Sequence, residues 1–257
     1  MILMLCEEKL GVKSYTHVVE PQTEVPPEYL AELEDDVRRL SEGEPVQYVL
    51  GFAEFYGLRF NVSPAVLVPR PETEQLVKEV VCHCLGLGRE ARVLDLCTGS
   101  GCIAWTVAHE VPDVEVLGVD ISEEALAVAR EQSVEGNVRF LKADVLQCGE
   151  DVDEGSFDVI VSNPPYVMDG EKAFMRKNVL EYEPHLALFV PDDDPLVFYR
   201  ALAGWMKRFL KAGGMGFVEI NESLGRQTAR VFVDAGYKNT SIIKDFFDKD
   251  RFLKISE

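Results

Sequence analysis

The chain of 257 residues is 47% hydrophobic and carries a formal net charge of −19, from 26 basic and 45 acidic side chains. This length allows one large core or two smaller ones, and no window reaches the roughly 18 apolar residues of a membrane span, which excludes an integral membrane protein. An acidic surface repels a phosphate backbone, so the charge disfavours DNA or RNA as the main partner.

The six cysteines follow no metal-binding or disulfide pattern. They are scattered without a CxxC pair or a repeated spacing, which argues against both a zinc site and a disulfide framework. They are Cys6, Cys82, Cys84, Cys97, Cys102 and Cys148. We therefore expect a reducing, cytoplasmic compartment.

Residues 1–45 are predicted to form a small helical unit. The opening "MILMLCEEKL" lacks the basic flank of a signal peptide and is typical of a helix entered partway. Residues 27–41 begin with Pro27, which suits a first-turn position, and Gly43 with Pro45 ends the run. The apolar face of this helix comprises Leu30, Leu33, Val37 and Leu40.

Residues 46–90 are predicted to link this unit to the rest of the chain. The segment "QYVLGFAEFYGLRFNV", residues 47–62, is rich in aromatic and β-branched residues and alternates after Gly57, which predicts a β-hairpin. A helix is predicted to begin near Pro71, because Glu72 and Glu74 suit its first turn.

Residues 91–257 alternate between strand and helix patterns. The predicted strands are "RVLDL", "VEVLGVD", "VRFLKAD", "FDVIVSN", "GMGFVEIN", "TSIIKDF" and "DRFLKISE". Such alternation predicts an α/β fold with a doubly wound, mostly parallel sheet. Sheets of this kind bind ligands at the carboxyl ends of their strands, beside the point where the strand order reverses.

Three successive strand ends carry residues that suit an adenosine group. "DLCTGSGCIA", residues 95–104, enters its helix through Gly99 and Gly101, which let a ligand approach the backbone. Asp120 ends the second strand, where a carboxylate receives ribose hydroxyls, and Asp144 follows the third, within reach of an adenine amino group. Alone, each also suits a tight turn, a solvated acid or a capping acid, and the spacing equally fits a dinucleotide site.

The fourth strand ends in "NPPY", Asn163 to Tyr166, which favours transfer to a planar nitrogen. The lone pair of an amide or exocyclic amino nitrogen is delocalised, and its two hydrogens can be held by the Asn163 side-chain oxygen and the Pro164 carbonyl. Tyr166 would stack on the flat acceptor, and the prolines keep the loop rigid. If the cofactor carries a methyl sulfonium, the nitrogen then faces the methyl group for in-line transfer. An ordinary Asn–Pro turn is the alternative.

"NPPY" with "DLCTGSG" resembles the motif pair of class I, S-adenosylmethionine-dependent methyltransferases acting on planar nitrogens. Residues 44–77, 181–188 and 249–255 further resemble the PrmC/HemK family of release factor glutamine methyltransferases, and this resemblance covers the chain from residue 28 onward. It implies a seven-stranded class I sheet with a small N-terminal helical domain and a linking β-hairpin. The implied activity is N5-methylation of the glutamine in the Gly-Gly-Gln motif of peptide chain release factors. The implied cofactor is S-adenosyl-L-methionine, with S-adenosyl-L-homocysteine as product and no metal.

The resemblance also assigns site residues. The implied cofactor contacts are Cys97, Thr98, Gly99, Ser100, Gly101, Asp120, Asp144, Val145 and Asn163, and the implied glutamine-amide residues are Asn163, Pro164, Pro165 and Tyr166. Cys97 stands where the common loop has its first glycine, and Val145 where some relatives place an aromatic ring. Arg70 and Glu72 are expected at the substrate entrance in the family manner.

We further expect residues 1–45 to dock the substrate, because the small Gly-Gly-Gln loop offers too little surface for selectivity. The chain is also expected to act as a cytoplasmic monomer, with no nucleic-acid or membrane partner. This helical unit is short for the family, so either its first helices lie outside the chain or the docking domain is reduced.

Four other functions remain open at this point. A glutamine methyltransferase of the ribosomal-protein type uses the same chemistry. A DNA adenine N6-methyltransferase is opposed by the charge of −19 and by the lack of a separate basic recognition domain. The glycine loop would also suit an NAD-dependent dehydrogenase, but "NPPY" would have no function in such an enzyme. An inactive binding protein of the same fold would be marked by loss of Asn163, which is present.

Overall fold

A computed structural model describes residues 1–13, 15–147, 152 and 156–257. The five cysteines within this part are free thiols. Cys148 lies outside the described residues. No helix in the described ranges is both long and apolar enough to cross a membrane.

The N-terminal region is helical, as predicted. It comprises α1 (Ile2–Leu10), α2 (Thr16–Val19), α3 (Pro27–Glu42) and α4 (Val46–Leu50). Pro27 lies in the first turn of α3, and Gly43 ends that helix at φ 98°, a conformation that favours glycine. Leu5, Leu33 and Val49 are buried together as the small core of this region.

The linking segment contains the predicted hairpin, but its first residues are helical. Strands β1 (Phe52–Phe55) and β2 (Leu58–Asn61) pair antiparallel through Tyr56 and Gly57, which both have positive φ. The prediction of strand over residues 47–50 was wrong, because Pro45 begins α4 and Gly51 ends it at φ 81°. The β-branched and aromatic side chains of α4 are buried instead by tertiary contacts. Helix α5 (Pro71–Gly86) begins where it was predicted.

Residues 91–257 form the predicted doubly wound sheet. Its strands are β3 (Arg92–Leu96), β4 (Glu115–Asp120), β5 (Val138–Lys142), β6 (Phe157–Ser162), β9 (Leu210–Glu219), β10 (Asn239–Lys244) and β11 (Asp250–Ser256). Between them lie α6 (Cys102–Glu110), α7 (Glu123–Arg130), α8 (Lys177–Tyr182), α9 (Val197–Phe209) and α10 (Gly225–Asp234). Two short strands, β7 (Val167–Met168) and β8 (Phe189–Val190), pair beside the sheet. Strand β9 begins four residues earlier than predicted.

The seven strands follow the order β10-β11-β9-β6-β3-β4-β5, and β11 runs antiparallel to both of its neighbours. This order confirms the predicted fold class. The strand order reverses between β3 and β6, where Leu96 lies opposite both Val119 and Ser162. The residues that follow these three strand ends therefore meet at one edge of the sheet, which we call the carboxyl edge.

Helices cover both faces of the sheet, and every residue of β6 is buried. On one face the core includes Val77 and Val80 of α5 with Val107 of α6. On the other face it includes Trp205 of α9 and Phe232 of α10. Burial on both faces explains the continuous apolar runs of the central strands and holds the carboxyl edge rigid.

Candidate active site

A cavity of about 210 Å³ opens at the carboxyl edge, next to the point where the strand order reverses. Its lining includes nine of the residues predicted for the site: Cys97, Thr98, Gly99, Ser100, Asp120, Asp144, Val145, Asn163 and Pro165. The lining of this cavity also includes residues of the linking segment, among them Arg70 and Thr73. The strand ends therefore bring the glycine loop, both acids and the "NPPY" stretch around one space.

The loop after β3 has an unusual backbone, with a left-handed conformation at three positions. Cys97, Gly99 and Gly101 have φ values of 61°, 56° and 78°. Cys97 therefore adopts a left-handed conformation that residues with a side chain rarely take, at a cost of the order of 1 kcal/mol. Gly101 packs against Trp105, where a Cβ would lie 3.0 Å from the indole, and begins α6 rather than lining the cavity.

Asp95 lies beneath this loop and is fully buried. Its Oδ2 accepts a hydrogen bond from the Thr98 hydroxyl at 2.6 Å. Burial raises the pKa of this carboxyl to about 7, against the opposing effect of the Thr98 hydroxyl. From the sequence, Asp95 was noted only as the first residue of "DLCTGSGCIA", and no role was predicted for it.

The two predicted adenosine acids both border the cavity, and both also hold the backbone. Asp120 accepts from the amide of Gly99 at 2.9 Å and from the amide of Ser122 at 3.0 Å. Its pKa is raised by burial, with these amides opposing the shift. Asp144 accepts from the Leu146 amide at 2.9 Å, which makes it a turn-capping acid as well as a lining residue.

The "NPPY" stretch separates the larger cavity from a smaller one of about 40 Å³. Asn163 and Arg70 line both cavities, whereas Pro164 and Tyr166 line the smaller one. The guanidinium of Arg70 donates to the buried Glu183 carboxylate at 2.7 Å. Glu72, expected at the same entrance, belongs to neither lining.

Sequence reasoning missed two buried residues behind "NPPY". Glu219, at the end of β9, accepts hydrogen bonds of 2.8 Å from both the Tyr166 hydroxyl and the Thr73 hydroxyl. Thr73 in turn accepts from Nδ2 of Asn163 at 3.3 Å. The one available signal was a glutamate ending the apolar strand "GMGFVE". Burial raises the pKa of Glu219, and its hydrogen bonds from Thr73 and Tyr166 act against that shift.

Comparison with known proteins agrees with this geometry. Residues 73–183 match the sequence model of the methyltransferase small domain, and residues 2–51 match that of the PrmC N-terminal domain. The chain is 46% identical to the release factor glutamine methyltransferase of Bacteroides thetaiotaomicron, over 86% of this chain and 79% of that protein.

This chain belongs to the release factor glutamine methyltransferase family.

A second member of the family, from Flavobacterium psychrophilum, is 41% identical over 93% of this chain and 85% of its own. A solved ribosomal protein L11 methylase from Lactobacillus delbrueckii shares the fold, with a TM-score of 0.51, 18% identity and coverage of 76% of this chain and 83% of that chain. The chain is therefore a methyltransferase with the fold of S-adenosylmethionine-dependent enzymes.

Proposed function

We propose that this chain methylates the N5 amide nitrogen of the glutamine in the Gly-Gly-Gln motif of peptide chain release factors, with S-adenosyl-L-methionine as methyl donor. The observation that carries the proposal is the position of Asn163, which lines both cavities. One side chain thus borders a cofactor-sized space and a smaller space suited to a flat amide. The relatives' names support the same substrate.

The residues around the larger cavity fit S-adenosyl-L-methionine. The loop of residues 97–100 lines this cavity, and Asp120 keeps free lone pairs for ribose hydroxyls beside its two amide donors. Asp144 and Val145 border the part assigned to the adenine. When bound, the cofactor supplies an electrophilic methyl group, and S-adenosyl-L-homocysteine is the product.

The residues at the smaller cavity would position the glutamine amide. Oδ1 of Asn163 and the carbonyl of Pro164 accept the two amide hydrogens, which turns the nitrogen lone pair toward the larger cavity. Tyr166 packs on the amide plane, and Pro165 restricts the loop. The proposed mechanism uses no metal, and it needs no strong base because the nitrogen becomes acidic only as it is methylated.

We propose that the three parts of the chain have different functions. Residues 1–45 dock the release factor, residues 46–90 link the two parts, and residues 91–257 bind the cofactor and carry the reaction. A separate docking surface is needed because a Gly-Gly-Gln loop offers little area for selective binding. We further propose that the chain acts as a cytoplasmic monomer without a nucleic-acid or membrane partner, in keeping with its charge of −19.

Transfer of labelled methyl to a purified release factor tests this proposal. We expect label on the intact factor, none on a factor whose loop glutamine is replaced, and a loss of at least about 100-fold in kcat with Asn163→Ala, because one of the two amide acceptors is removed. Urea unfolding of the variant and the wild type controls for folding. Cofactor binding without labelling of the factor would contradict the proposed substrate, and the ribosomal-protein substrate would then be tested next.

A further inference from the structure

We propose that Glu219 and Thr73 are positioning residues that fix which end of the Asn163 amide faces the acceptor. They hold its nitrogen away from the smaller cavity, so that its oxygen is presented to the substrate. The inference rests on the proposed function, and it concerns two residues that lie outside the "NPPY" motif.

The three side chains form a continuous hydrogen-bonded chain. Asn163 donates from Nδ2 to Thr73 Oγ1 at 3.3 Å, and Thr73 donates to Glu219 Oε2 at 2.8 Å. Thr73 and Glu219 are 2% and 1% exposed, so water does not compete for these bonds. A buried polar chain of this kind has a defined direction.

The direction follows from the number of hydrogens that each group carries. An ionised carboxylate only accepts, so the single hydroxyl hydrogen of Thr73 is directed to Glu219. The remaining lone pairs of Thr73 Oγ1 can then only accept, and the group of Asn163 that faces them must be the NH₂. Its Oδ1 is therefore directed away from Thr73 and is available to accept an amide hydrogen of the substrate.

The same carboxylate also holds the ring that would pack on the substrate. Oε1 of Glu219 accepts from the Tyr166 hydroxyl at 2.8 Å. The main chain of Tyr166 is held separately, because its carbonyl accepts from Nδ2 of Asn221 at 3.1 Å. One buried acid thus orients both functional side chains of "NPPY" through different oxygens.

Protonation of Glu219 would reverse the chain. A neutral carboxylic acid donates to Thr73, whose hydroxyl then donates to Oδ1 of Asn163 and turns the amide around. Burial raises the pKa of Glu219. The charged and titratable groups that face it are Arg251 from β11, Tyr166 and Glu72, and the Tyr199 hydroxyl lies against its main-chain carbonyl. Activity should therefore fall as the pH drops through this raised pKa.

The test measures kcat against pH at saturating cofactor and release factor, together with cofactor affinity. We expect Glu219→Gln and Thr73→Val each to lose roughly 100-fold in kcat with cofactor affinity unchanged, because each lets the amide turn. The double variant should be no worse than either single one, since both break one chain. Thr73→Ser, which keeps the hydroxyl, should retain activity. The wild-type kcat should fall at acid pH, and Glu219→Gln should lack that fall.

A second buried carboxylate provides the matched control. Asp158 lies at the opposite end of β6 from Asn163, and Asp158→Asn should lower stability without changing kcat. Wild-type activity in Glu219→Gln, or losses that multiply in the double variant, would overturn the inference. So would a wild-type kcat that stays constant down to the pH at which the protein unfolds, a result that needs no variant. Failure of the wild type to label any release factor would instead count against the proposed function.

Discussion

At the scale of single residues, this methyltransferase places acids where water cannot reach them. Asp95 and Glu219 are both essentially unexposed, yet each contacts a hydroxyl that borders the site. Burial disfavours the ionised form of each acid and raises its pKa. Each acid should therefore lower stability when ionised, and it is retained at a position where it orders a functional loop.

The buried acid under the glycine loop gives a pH-dependent stability. The pKa of Asp95 is about 7 in the folded chain against an ordinary value of 3.8. Between these values the folded chain holds a proton that the unfolded chain has lost, so the free energy of unfolding falls as the pH rises. Asp95→Asn should lack this pH dependence, and its stability relative to wild type should increase by about 2 kcal/mol between pH 5 and 7.

Urea unfolding at the two pH values measures the effect. The exposed Asp193, replaced by asparagine, is the control and should differ from wild type by the same small amount at both. A difference between Asp95→Asn and wild type that does not change with pH would show that this carboxyl is ionised throughout.

At the scale of elements, β6 has different roles at its two ends. Its last residue precedes Asn163 at the carboxyl edge, whereas Asp158 near its start ties neighbouring segments together. The Asp158 carboxylate accepts from Arg89 at 2.5 Å, from Lys211 at 2.8 Å and from the amide of Arg92 at 2.9 Å. Asp158 thus ties the sheet together at one edge, whereas the cavity opens at the other edge, where parallel sheets usually bind ligands.

The start of β6 should therefore affect stability alone. Burial acts to raise the pKa of Asp158, but Arg89 and Lys211 outweigh it and lower the pKa to about 2. The stabilisation is present above the ordinary value near 4 and is lost as the pH falls toward 2. Asp158→Asn should lower the free energy of unfolding at pH 7 by about 2 kcal/mol, as measured by urea unfolding. An unchanged midpoint at pH 7 would mean that these three contacts do not stabilise the fold.

At the scale of the whole molecule, the helical region exposes apolar side chains that its own core does not use. The exposed side chains on α1 are Ile2, Leu3 and Met4, and those on α3 are Tyr29, Leu30 and Val37. Exposed apolar groups of this size are common on surfaces that bind other proteins. This observation supports the proposed docking role of residues 1–45.

A substitution on α3 tests that role. Leu30→Glu should raise KM for the intact release factor about tenfold, since a buried leucine contact is replaced by a desolvated charge, while kcat and cofactor affinity stay unchanged. Leu85→Glu on α5 is the matched control, because Leu85 is also exposed and lies outside the helical region. An equal change in both variants, or in neither, would contradict docking through α3.

The sequence by itself determined the α/β class, the mostly parallel sheet and the position of each motif at a strand end. These features are local, since a strand pattern, a turn and the residue that follows are neighbours in the chain. It also indicated the chemistry, because "NPPY" and the glycine loop follow strands that a doubly wound order brings side by side. It did not indicate that residues 46–50 are helical, since burial among α1 and α3 overrides their strand propensity.

Only the tertiary structure decided how the site is held. Thr73 and Glu219 are 146 residues apart, and their hydrogen bond exists because α5 begins against the end of β9, next to β6. Neither residue belongs to the glycine loop or to "NPPY", and the properties that matter are burial and hydrogen-bond direction, which depend on residues distant in the chain. The sequence therefore predicted which groups meet at the carboxyl edge, whereas long-range packing decided how the atoms of those groups are hydrogen-bonded.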